Sequence, residues 1–91
     1  MPSTQVFFAG NVQGVGFRYT VKQLAKGFDV TGWVKNLPDG RVQLQASGEP
    51  SELAAFIESI AQSELRAHIK EQTETPLGEQ PVGSGFQILH D

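Results

Sequence analysis

Residues 5–28 read QVFFAGNVQGVGFRYTVKQLAKGF, and the order of signals inside this stretch decides the fold. Val6, Phe7 and Phe8 form a short β-prone run, so Gln5 to Ala9 is expected as a strand that stops at the turn formers Gly10 and Asn11. The loop NVQGVG follows. From Phe17 the apolar residues Phe17, Val21, Leu24 and Phe28 are spaced by four, three and four, one face of a helix with Gly27 as its stop. A strand that feeds through a glycine-rich loop into a helix is the first half of a β-α-β unit.

Outward from this stretch the pattern continues. Val30 to Lys35 reads as a strand with Thr31 and Trp33 on one side, and LPDG (residues 37–40) supplies a tight reversal. In the returning strand Val42, Leu44 and Ala46 alternate with Arg41, Gln43 and Gln45, giving one buried and one wet face. Gly48 ends that strand. Pro50 suits a first helical turn, and Leu53, Phe56, Ile57 and Ile60 mark a second amphipathic helix. Arg66 to Thr73 reads as a weaker strand, TPLGEQPVGSG (residues 75–85) as a loop, and Phe86 to Leu89 as a closing strand. The βαββαβ order predicts an α+β ferredoxin-like sandwich, an antiparallel four-stranded sheet with two helices on one face and an extra short strand near the C-terminus.

The 91 residues fit one domain spanning 1–91. Cysteine is absent, so neither a disulfide framework nor a thiolate metal site contributes. The N-terminus has no basic region leading into a long apolar run, and no ~18 consecutive apolar residues occur, which predicts a cytoplasmic protein without a membrane partner. Seven Lys and Arg are scattered among ten acidic residues, without the dense basic stripe that a nucleic-acid backbone requires.

The loop before the first helix is the chemically informative segment. Helices usually open on Ser, Thr, Asp or Asn, whose side chain accepts from one of the unpaired N–H groups, and this helix has no such cap. Arg18 in the first turn also opposes the positive end of the helix dipole, at a cost of roughly 0.3–1 kcal/mol that a bound anion would reverse. Gly10, Gly14 and Gly16 permit backbone conformations that turn successive N–H groups toward one oxyanion. On these grounds alone the loop reads equally as a phosphate cradle or as a tight strand-to-helix turn with Arg18 in water. The spacing matches neither GxGxxG nor GxxxxGK[ST].

GNVQGVGFR (residues 10–18) and GWVKNLPDGRVQLQASG (residues 32–48), taken together and in this order, resemble the paired signatures of the acylphosphatase family. The resemblance covers residues 5 to 90 and implies hydrolysis of small acyl phosphates to a carboxylate and inorganic phosphate, by a monomer that uses no metal or other cofactor. It implies that Gly10, Asn11, Val12, Gln13, Gly14, Val15 and Gly16 bind the phosphate through backbone N–H groups and that Arg18 pairs with its oxygens. It further implies that Asn36 orients the attacking water and that inorganic phosphate, the product, inhibits competitively. Asn11 stands where family members usually carry arginine, and a weaker local positive potential over an intact cradle is expected.

These residue types suit that chemistry. The conjugate acid of the departing carboxylate has a pKa near ~4, so no protein acid is required and the task is positioning plus electrostatics. Outside the resemblance, Asn36 reads as a strand-end residue that helps the turn. Trp33 and Phe17 read as packing residues, and His68 and His90 as surface groups with no metal spacing. Asp29, Asp39 and Glu49 read as solvated turn residues. An RNA-recognition module shares the βαββαβ order and could use Phe7 and Phe8, but its aromatic signature is missing from the third strand. A binding domain that kept the loop and lost turnover is the other alternative, which intact Arg18 and Asn36 oppose.

Overall fold

A computed structural model describes residues 1–80 and 83–90. It contains β1 (Pro2–Gly10), α1 (Phe17–Ala25), β2 (Val30–Asn36), β3 (Val42–Gly48), α2 (Pro50–Ala61), a short 3-10 turn (Glu64–His68), β4 (Ile69–Glu79) and β5 (Phe86–Leu89). The five strands form one sheet in the order β4-β1-β3-β2-β5. The ferredoxin-like sandwich expected from the sequence is present. It differs in the sheet's last member, because β5 runs parallel to β2 and makes an otherwise antiparallel sheet mixed.

Alternation does in space what it promised in sequence. Val42, Leu44 and Ala46 of β3 are buried beneath the helices, as are Val6 and Phe8 of β1 and Val34 of β2. Phe8 and Phe17 meet at 5.0 Å between ring centroids and join the root of α1 to β1. Phe56 of α2 lies between Phe28 and Phe86, at 5.8 and 5.5 Å. Phe28 therefore reaches the core although α1 ends three residues before it. The opposite sheet face is wet. There Lys35 lies over Trp33 at 5.4 Å, the Arg41 guanidinium over Phe7 at 4.6 Å, and Gln43 donates to Gln5 at 2.9 Å.

The longest strand is the one with the weakest sequence signal. Arg66 to His68 belong to the 3-10 turn, and β4 continues through Glu79, five residues into the segment expected as a loop. Its position on the sheet edge is the reason: Pro76, which cannot donate to a ladder, is tolerated where one side of the strand is unpaired. Gly78, at φ 72°, lies beside a register shift at Ser3/Thr4, so the turn-forming residues shape a bulged edge and do not end the strand. Residues 81 and 82 of the expected loop, and residue 91, lie outside the described residues. No helix among the described residues is long and apolar enough to cross a membrane.

A candidate anion-binding active site

The loop between β1 and α1 is held at both ends. Gly10 closes β1 opposite Ile69, and the Asn11 N–H donates to the His68 carbonyl at 3.0 Å. Val12, fully buried, pins the loop into the core. Gln13 then reaches across to the β2–β3 turn, its Nε2 donating to the carbonyls of Leu37 at 2.8 Å and Arg41 at 3.0 Å. Gly14 and Gly16 take left-handed conformations, φ 78° and 74°, that β-carbon-bearing residues adopt only at a cost.

The result is a run of unused donors. α1 begins after Gly16 with no side-chain cap and no acidic residue in its first turn, and the first N–H of this region to find a backbone acceptor is that of Thr20, 3.0 Å from the Gly16 carbonyl. Among the described residues, no N–H from Val12 through Tyr19 donates to a protein acceptor. Helix starts normally satisfy part of this set internally, so the geometry asks for an external, preferably anionic, acceptor.

Six residues of this run line a cleft of about 200 Å³, whose walls are Val12, Gly14, Gly16, Phe17, Arg18, Tyr19, Asn36, Ile88 and His90. Arg18, half-buried, is joined there by Asn36, which ends β2 and has no hydrogen-bond partner for its carboxamide among the described residues. The turn beyond Asn36 is closed by backbone hydrogen bonds: Leu37 N–H donates to the Arg41 carbonyl at 2.8 Å and Gly40 N–H to the Leu37 carbonyl at 3.1 Å. Asp39 accepts from the Arg41 N–H at 3.0 Å and from its Nε at 2.8 Å, and these bonds hold the exposed Asp39 carboxyl below its ordinary pKa.

Of the residues expected at the site, Val12, Gly14, Gly16, Arg18 and Asn36 border the cleft, while Gly10, Asn11 and Gln13 secure its loop and Val15 packs against the core. His90 is a wall residue that sequence reading placed only on the surface. It reaches the cleft because β5 pairs with β2 in the register Leu89 opposite Lys35, which sets residue 90 at the same end of the sheet as Asn36. No spacing in the sequence signals that return.

The profile of the acylphosphatase family matches residues 4–88. An acylphosphatase of Lacticaseibacillus paracasei is 40% identical over 85 residues, covering 92% of this chain and 91% of that protein. One of Geobacillus thermodenitrificans is 38% identical over 90 residues, covering 99% and 96%. The crystal structure of acylphosphatase from Bacillus subtilis superposes with a TM-score of 0.91 at 32% identity, covering 99% of this chain and 100% of the other.

Proposed function

Because the chain belongs to the acylphosphatase family, hydrolases that act on acyl phosphates, we propose that the cleft beside α1 is where it binds the phosphoryl group and hydrolyses it. The observation that carries the assignment is the uncapped start of α1, whose residues with unused N–H groups line the same cleft as its single permanent cation, Arg18.

In this reading the N–H groups of Val12 to Gly16 and of the first turn of α1 surround the phosphoryl oxygens, with Gly10 and Asn11 anchoring the loop that presents them. Arg18 pairs with two of those oxygens through its planar fork. Asn36 holds the water: its carboxamide oxygen accepts from the water and its amide group donates, without presenting a charge that would repel the incoming anion. The water oxygen attacks phosphorus, the bond from phosphorus to the acyl oxygen breaks, and that oxygen departs with the bonding pair as a carboxylate. The water's second proton passes to the phosphate product or to solvent. Preorganised donors contribute most as charge gathers on the equatorial oxygens. The substrates are small acyl phosphates, inorganic phosphate competes for the same donors, and a monomer suffices because one chain supplies every group.

The test is hydrolysis of acetyl phosphate with and without a chelator, and with added inorganic phosphate. Turnover indifferent to the chelator and competitively inhibited by phosphate is the expected result. Absence of turnover, or phosphate that leaves the amides of residues 12–18 unshifted in an NMR titration, would refute the assignment.

A further inference from the structure

Resting on the reading of the cleft as a phosphate site, we propose that His90 is a positioning residue for Arg18, anchoring one edge of the guanidinium so that the other meets the anion already oriented. Arg18 carries five N–H donors and no acceptor. Among the described residues it forms no ion pair, and its side-chain hydrogen bonds go to two consecutive residues at the end of β5: Nη1 donates to the Leu89 carbonyl at 3.3 Å and lies 3.4 Å from His90 Nδ1. Since a guanidinium only donates, the second contact is attractive when Nδ1 is the bare ring nitrogen and Nε2 carries the proton.

Both anchors engage the same nitrogen. Nε and Nη2 remain for a bidentate grip on two oxygens of an incoming phosphate. A long, half-exposed arginine would otherwise lose much of its rotamer freedom when the anion binds, and an anchor that restricts it beforehand lowers that cost. Leu89 supplies a backbone carbonyl that any residue would provide. The side chain of His90 is the part that depends on residue identity, and it borders the cleft beside Asn36 and Arg18.

The role separates from a structural one by measurement. In free protein, His90→Ala should lower the NMR order parameter of the Arg18 Nε–H and leave the Tm unchanged, because His90 is exposed. It should raise the phosphate Kd and the KM for acetyl phosphate by about three- to tenfold, the scale of one partly exposed charge-assisted hydrogen bond, with kcat within about twofold. His90→Gln, whose amide oxygen can accept from Nη1, should restore order and affinity together. An Arg18 order parameter unchanged in His90→Ala overturns the proposal, and if affinity nonetheless falls, His90 touches the anion directly. Should the wild type bind no phosphate, the phosphate reading falls, and the positioning of Arg18 is still decided by the order parameter of the free protein.

Discussion

Replacing Arg18 by alanine removes the one permanent cation of the cleft, and kcat/KM for acetyl phosphate is expected to fall by at least about a hundredfold to a thousandfold, the scale of one oriented charged donor worth ~3–4 kcal/mol. Asn36→Ala should behave differently: phosphate still binds, shown by an unchanged Kd, while turnover stops, and a variant that continued to hydrolyse would take Asn36 out of the reaction. Gln13→Ala removes one of the two donors to each of two turn carbonyls and uncouples the loop from the strand end that carries Asn36. A fall in kcat larger than the rise in KM is the expected signature, read in steady-state kinetics. Of the two cleft residues, Arg18 drew notice in the sequence because a cation is out of place at a positive helix end, whereas Asn36 drew notice only through the motif it belongs to, since by itself it reads as a strand-end turn residue. The side-chain tie of Gln13 to the β2–β3 turn and the place of His90 in the cleft wall were not legible. The first acts through carbonyl partners that carry no residue identity, and the second depends on a parallel strand return that leaves no periodic trace.

At the scale of elements, the start of α1 and the β2–β3 turn each admit a test. Gly16→Ala meets no neighbouring atom, since a β-carbon there would face open space, but it forces a left-handed conformation on a residue that resists it. A loss of about 1–2 kcal/mol in denaturant stability is expected, together with weaker phosphate binding as the N–H groups turn away. In the turn, Asp39 is held below its ordinary pKa of 3.8 chiefly by the Arg41 N–H and next by its guanidinium. A depressed carboxyl stabilises the folded chain fully above the unfolded value, and that contribution is lost as pH falls through the folded value. Asp39→Asn should therefore flatten the stability profile on the acid side of ~4 and leave its shape near neutrality unchanged, checked by urea unfolding across pH. Both helices and the β2–β3 hairpin were readable from periodicity and turn chemistry. The length of β4 was not, because Pro76 and Gly78 signal a loop wherever the strand is not known to lie at an edge.

For the molecule as a whole, the aromatic contacts of Phe56 tie α2 to the segment after α1 and to β5. Phe56→Ala in this fully buried position should cost about 3–5 kcal/mol and lower the Tm by roughly 4–8 °C per kcal/mol, measured by thermal unfolding. The sandwich itself was legible because its buried residues alternate or recur at helical spacing along every element that forms the core. The cleft draws its walls from six residues between 12 and 19, from Asn36, and from Ile88 and His90, so its last wall is set by the last strand. A polypeptide leaving the ribosome would own its glycine-rich loop early and still lack the partners of Arg18 until β5 emerged and zipped onto β2. Binding strength in arrested nascent chains of increasing length should then climb in a final step, making the enzyme a reporter of its own completed synthesis.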